Sequence, residues 1–166
     1  MSDSTERRIC ILDAGPIIHL DQMDAFDLIH SLGTVFIPES VVWEAEKYRP
    51  SIRAKLGSCI VEDVEDIGPK LASALQSTEL QTGEVAALAW AEKFGADLFV
   101  SDDKSARVVA TILGYESTGT LGVIRNAFHM GALKHGEAVA LLRSIPVRST
   151  LHVEASLLAS VIRSLR

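Results

Sequence analysis

A short apolar run that ends in two adjacent carboxylates and passes at once into a helical pattern leaves few architectures open to a chain. Residues 98–110 read Leu-Phe-Val-Ser-Asp-Asp-Lys-Ser-Ala-Arg-Val-Val-Ala, and the apolar positions Val108, Val109, Ile112 and Leu113 continue to a stop at Gly114. That order is strand, acid pair, helix. Acids at the carboxyl end of a strand sit where an α/β sheet opens into a crevice, the usual place for ligand chemistry. An N-cap, whose side chain takes up a free N–H of the first helical turn, accounts for one Asp of the pair and not for both.

The same unit recurs. Residues 9–12 are apolar and close on Asp13, and Ala14-Gly15-Pro16 turns the chain into a helix, with proline suited to a first helical position. Ile17, Ile18, Leu20, Met23, Phe26 and Ile29 carry the helical pattern to about residue 32, as one broken helix or two short ones. On its polar side Asp21, Asp24 and Asp27 read as a solvated face, and His19 and His30 lack a second metal-binding residue at suitable spacing. Residues 34–37 form a second β-rich run closed by Pro38, and Ser40 reads as the cap of a helix carrying Val41, Val42, Ala45 and Tyr48. Glu44 falls beside that helix's apolar stripe, an uncomfortable place for a charge without a partner.

The middle of the chain is less regular. A short polar helix precedes an apolar-acidic alternation over residues 59–64 that fits an edge strand, and Glu62, Asp63, Glu65 and Asp66 read as surface. Thr78 and Gln81 have the form of a capping box, which predicts a helix over residues 79–94 stopped by Gly95. Within it Glu84 lies four residues from both Leu80 and Leu88, inside the apolar stripe, and Trp90 reads as a packing residue. Residues 115–118 fit one more strand, and Thr118-Gly119-Thr120-Leu121-Gly122 turns into a helix whose free N–H groups are suited to a phosphate or to ordinary caps. Two further helices are expected over residues 136–143 and 154–165, the last with an apolar stripe able to close the core or form a dimer interface.

Such alternation predicts a three-layer α/β/α chain, with a central parallel sheet of roughly four or five strands and helices on both faces. Its 166 residues suit one domain spanning 1–166, and 48% hydrophobic content with 23% charge is that of a folded protein. The net charge of −6 excludes bulk coating of nucleic acid, which needs a basic field. Cys10 and Cys59 read as small buried hydrophobes, fitting a reducing cytoplasm. Residues 1–8 carry no apolar signal-peptide core, and no apolar run reaches membrane-spanning length, so a soluble cytoplasmic protein is expected.

In a parallel sheet Asp13 and the Asp102-Asp103 pair emerge on one edge, with Glu44 and Glu84 able to reach it from flanking helices. Carboxylates gathered in one pocket repel, and the usual resolutions are proton sharing or a hard divalent cation. Mg²⁺ or Mn²⁺ suits all-oxygen ligands and supports phosphodiester cleavage.

Several motifs taken together resemble the PIN-domain superfamily, in particular an uncharacterised bacterial and archaeal PIN-like branch with a Thr-Gly-Thr-Leu-Gly signature. They are Leu12-Asp13-Ala14-Gly15-Pro16, Ile37-Pro38-Glu39-Ser40-Val41 leading to Glu44, Gly83-Glu84, Ser101-Asp102-Asp103-Lys104 with Arg107, and Thr118 to Gly122. The resemblance covers nearly the whole chain. It implies a metal-dependent ribonuclease fold, often a homodimer and frequently the toxin of a toxin-antitoxin pair, with RNA as substrate and an antitoxin protein as partner. It carries Asp13, Glu44, Glu84 and Asp103 onto the family's catalytic metal-binding acids, with Asp102 as an additional metal candidate nearer a cap or outer-shell role, and Ser101 onto a small hydroxyl residue. Substrate contacts would fall to Ser101, Lys104, Arg107, Thr118 and Thr120, with Arg125, Lys134 and Arg143 as further cations. Two positions depart from the family pattern: Ala14 stands where many members have Thr or Ser, and Glu84 where Asp is commoner. Ala14 and the acidic net charge favour the competing expectation, a catalytically weak nucleic-acid-binding or regulatory interaction module. A haloacid-type phosphatase would need an Asp where Gly15 stands.

Overall fold

The computed structural model describes residues 7–166, so most of the polar start lies outside the described residues. Five strands, β1 (Ile9–Leu12), β2 (Thr34–Pro38), β3 (Ile60–Glu62), β4 (Leu98–Val100) and β5 (Glu116–Thr118), form one sheet in the order β3-β2-β1-β4-β5. Every pairing is parallel, with Ile11 opposite Phe36 on one side and Phe99 on the other. Parallel neighbours require crossovers, and the helices that supply them cover both faces.

Side-chain alternation divides the core into two layers. Cys10, Leu12, Val35, Ile37, Leu98 and Val100 face α1 (Ala14–Gln22), the 3-10 segment Phe26–Leu32, α2 (Glu39–Tyr48), α6 (Thr120–His129) and α7 (His135–Arg148). Ile11 and Phe99 face the other way, onto α3 (Pro69–Leu75), α4 (Thr82–Phe94) and α5 (Lys104–Ile112). α8 (Ala155–Ser164) lies outside the first layer, its Leu158, Val161 and Ile162 packed on it while Leu157 stays half exposed. Trp90 packs against Phe36 and Phe94, whose rings also stack on each other, with ring centroids 5.2 and 4.5 Å away, which bears out its reading as a packing residue.

Local chemistry moved several boundaries and reversed some expectations. Asp21 is not solvated: it is buried at 1% exposure, where it accepts from Arg49 and from Lys55 at 2.5 Å, and so ties α1 to the end of α2 and the 3-10 turn after it. Burial alone would raise its carboxyl, but the hydrogen bonds and charges of Lys55 and Arg49 outweigh it and hold the pKa below the usual range. Ser40 caps nothing; α2 opens two residues earlier than that cap would place it, at Glu39 after Pro38, and the Ser40 hydroxyl is buried without a partner. Thr78 turns back on Ala74, so α4 begins at Thr82 with Gln81 as its N-cap. α3 has too short an apolar pattern to show in the sequence, and α7 runs on through Pro146 to Arg148. No helix among the described residues is long and apolar enough to cross a membrane.

Candidate active site at the carboxyl edge of the sheet

The strand order creates the site. From β1 the chain moves outward through β2 to β3, then returns to the opposite side of β1 as β4 and β5. Between β1 and β4 the crossovers diverge to opposite directions, which opens a crevice beyond the carboxyl ends of those two strands. Asp13 follows β1 and the Ser101-Asp102-Asp103 turn follows β4, so both meet there. A backbone bond from Asp13 N–H to the Val100 carbonyl, 2.9 Å, extends the β1–β4 ladder to that point.

Asp13 is the anchor. It is 5% exposed, its Oδ1 accepts from the Ala14 N–H at 2.8 Å, and its Oδ2 accepts from the Ser101 hydroxyl at 2.8 Å. Ser101, fully buried, also accepts from the Asp103 N–H at 3.1 Å, so one hydroxyl fixes both the first acid and the turn that carries the last. Burial, with smaller pushes from the Glu84 and Glu44 charges, raises Asp13 to about 6 against the lowering effect of its Ser101 and Ala14 hydrogen bonds.

Glu44 and Glu84 come from the flanking helices α2 and α4, both half-buried. Glu44 reaches across α4 at Gly83, where a Cβ would lie 2.4 Å from its Oε2, so the carboxylate is seated in the space that glycine leaves. Glu84 is the third residue of α4 and accepts from the Gln81 N–H at 2.9 Å, which places a negative charge at the helix's positive end. Burial raises the Glu84 carboxyl too, and the neighbouring Asp103 and Glu44 charges add to it despite the Gln81 bond. Asp103 is exposed and caps α5 through a 2.8 Å bond from the Ala106 N–H.

The cap expected of one member of the acid pair is therefore Asp103. Asp102 turns across the sheet edge, where its Oδ1 accepts from the Thr120 N–H at 2.7 Å and its Oδ2 from the Thr120 hydroxyl at 2.6 Å. A third partner is His19, whose Nδ1 lies 2.7 Å from Asp102 Oδ2. No local pattern connects His19 with the acid pair, since 83 residues separate it from Asp102 and only the crossover through α1 brings them together. Thr120, expected at the substrate, is buried with both donors committed to Asp102. Thr118 lies over Gly122, and its carbonyl accepts from the Ser101 N–H at 2.9 Å. Lys104, Arg107 and Arg125 line one cleft beside Asp102, whereas Lys134 and Arg143 do not reach it.

Four carboxyl groups from four separate elements thus act on one another's charge: Asp13 feels Glu44 and Glu84, and Glu84 feels Asp103 and Glu44. This all-oxygen donor set is chemically suited to a hard divalent cation. Among the described residues no group of three or more His, Cys, Asp or Glu side chains stands in a ready-made ligating arrangement. Mutual repulsion favours that spread, and an added positive charge would relieve it.

A family model described as a PIN domain, DUF3368, matches residues 9–166. This chain belongs to that family. PIN domains are in general nuclease folds, and they generally use divalent metal ions. Among solved structures, a PilT N-terminus domain protein from the hyperthermophilic archaeon Sulfolobus solfataricus P2 is similar in fold, with a TM-score of 0.52 and 18% identity over 69% of this chain and 89% of that one. No curated protein matches the sequence.

Proposed function

We propose that this PIN domain is a Mg²⁺- or Mn²⁺-dependent endoribonuclease whose cation is held by Asp13, Glu44, Glu84 and Asp103. The observation that carries the reading is the placement of the four acids: Asp13 and Asp103 follow the adjacent strands β1 and β4 and are joined through the Ser101 hydroxyl, while Glu44 sits against Gly83 beside Glu84. Burial and neighbouring negative charge raise the Asp13 and Glu84 carboxyls there. A fold has little reason to keep such repulsion unless a bound positive charge relieves it.

When bound, the cation supplies neutralisation of phosphate charge and activation of water at neutral pH. The chain's own groups prepare for this. Ser101 holds the Asp13 carboxylate in one rotamer, the Gln81 and Ala106 N–H groups each fix one oxygen of Glu84 and Asp103, and Gly83 leaves room for Glu44. Proton occupancy at Asp13 competes with the cation, so cleavage should rise as pH passes about 6. The described residues assign no covalent nucleophile.

The test is cleavage of a labelled RNA with Mn²⁺, with chelator, and with the Asp13→Asn, Asp103→Asn double variant. Cleavage that survives the double variant overturns the reading. Calorimetric titration with Mn²⁺ separates it from a regulatory module, for which no saturable binding abolished by the double variant is expected. The toxin role, an antitoxin partner and a homodimer belong to the same proposal, and copurification and sedimentation test them.

A further inference from the structure

Of the acids gathered at the carboxyl edge, Asp102 alone is left out of the cation reading, and its oxygens are taken up by donors from other elements. The Thr120 N–H binds Oδ1, while the Thr120 hydroxyl and the His19 ring share Oδ2. The His19–Asp102 pair is enclosed, with side chains 14% and 12% exposed, and its 2.7 Å contact is at the short end for a nitrogen donor on a carboxylate. An ionised carboxylate only accepts, so Nδ1 carries the proton of this bond. Glycines make the seat. A Cβ at Gly119 would lie 2.5 Å from Asp102 Oδ1, and at Gly15, one turn before His19 on α1, a Cβ would touch the Asp102 Cβ at 3.5 Å. Asp102 is thereby wedged among α1, the turn after β4 and the start of α6.

We propose that His19 is a positioning residue of the metal site: by holding Asp102 it locks the Ser101-Asp102-Asp103 turn against α1 and so fixes Asp103 relative to Asp13. The proposal rests on the nuclease reading and deepens it, naming a residue that sets the geometry of the cation's ligands without touching the cation. Among the described residues, two side-chain hydrogen bonds join α1 and its cap to that turn, Ser101 to Asp13 and His19 to Asp102. The first alone is a pivot, about which the turn could swing and carry Asp103 away from Asp13. The second lies six residues further along α1, about 9 Å at 1.5 Å per residue, and two points so far apart remove the swing. A hard divalent cation is sensitive to such a swing. Mg²⁺ takes near-octahedral ligands at about 2.1 Å, and a site for it must be held to about 0.5 Å. The lock also divides the acid pair. Asp103 commits one oxygen to the Ala106 N–H, and no described residue bonds its second, so Asp103 is the member with an oxygen to give.

The experiment is calorimetric titration of the full chain with Mn²⁺, well below the melting temperature of each variant, with cleavage of a labelled RNA followed across the same Mn²⁺ range. His19→Leu and His19→Phe, which keep bulk but no donor, should each weaken Mn²⁺ binding roughly 10-fold. That is the lower end of the effect of groups behind metal ligands, because His19 acts through Asp102. Cleavage should move to higher Mn²⁺ by the same factor and return to the parental rate at saturation. His19→Asn should recover most of the affinity, since its amide can donate from close to the position of Nδ1. His30→Asn, at an exposed histidine, is the control and should bind as the parent does. In the metal-free parent, NMR of isotope-labelled histidine rings should show a slowly exchanging Nδ1–H that is absent from His19→Leu and His19→Phe.

A lowered melting temperature with parental Mn²⁺ affinity overturns the proposal, because His19 is then a packing residue only. So does parental affinity with cleavage lost even at saturating Mn²⁺, which would make the ring itself a reacting group. A His19→Asn variant that binds as weakly as His19→Leu, or a parent without the protected Nδ1–H, overturns it too. A parent that binds no Mn²⁺ overturns the nuclease reading and this proposal together, whereas parental binding by the donor-free variants overturns this proposal alone.

Discussion

Replacing Asp13 by Asn should stabilise the metal-free protein increasingly as pH rises. A carboxyl whose pKa climbs from 3.8 unfolded to about 6 folded binds its proton more tightly in the folded state. Its contribution is therefore fully present below the unfolded pKa and is lost as pH rises through the folded pKa. The shift corresponds to about 3 kcal/mol between the two limits. Relative to an uncharged side chain the penalty is about 1 kcal/mol at pH 4.5 and about 3 kcal/mol at pH 7.5. Asn keeps the acceptor for the Ala14 N–H and can donate to the Ser101 hydroxyl, at a pH-independent cost of about 1 kcal/mol for exchanging charge-assisted bonds for neutral ones. The difference between the two pH values, about 2 kcal/mol, is thus the diagnostic. For a chain of this length it corresponds to about 4–8 °C in relative Tm. Thermal unfolding followed by circular dichroism, with chelator at pH 4.5 and 7.5, reads it directly. A gap between parent and variant that is the same at both pH values refutes the account of Asp13 as a buried, repelled carboxylate. Saturating Mn²⁺ should then stabilise the parent more than the variant, by linkage to the proposed site.

Three other outcomes follow from the same contacts. Gly83→Ala should leave Tm within a few degrees, because the atom it meets is the end of the flexible Glu44 side chain. RNA cleavage should nevertheless fall by roughly 10- to 100-fold as that carboxylate is displaced, and a variant with parental activity would show that Glu44 needs no seat at Gly83. Asp21→Asn should destabilise by about 1–3 kcal/mol at pH 7 through its weakened bonds to Arg49 and Lys55, with the loss shrinking as pH falls through the lowered carboxyl pKa; urea melts at pH 7 and pH 3 measure it. Gly33→Ala meets the Arg8 carbonyl at 2.3 Å from a backbone with φ +127°, so a loss of more than about 2 kcal/mol in denaturant melts is expected, and a neutral result would contradict that backbone geometry.

Period and punctuation in the sequence were enough for the strands, the helices that follow them and the parallel sheet. These are local quantities: apolar alternation, a turn residue, a stop at Gly95, whose left-handed backbone the structure bears out. Caps were read less well because they depend on which of several adjacent acceptors finds a free N–H. Gln81 with Glu84 won over Thr78, and Asp103 over Asp102, for that reason. Asp21 was misread because helical spacing alone shows its face on α1 and not the two cations that arrive from residues 49 and 55.

The acids themselves were visible one by one, at strand ends and inside apolar stripes. Their coupling was not, since it depends on strand order: only the reversal between β1 and β4 sets Asp13 against Ser101 across 88 residues. The same reversal decides that Asp102 serves His19 and Thr120, and that three of the five candidate cations line one cleft together with residues of the C-terminal segment. Sequence thus determined the repeating units and the chemical types available to the site, because both are written within a few residues of each other. Which of those groups meet, with what burial and against whose charge, is a property of long-range crossovers, and the tertiary structure alone decided it.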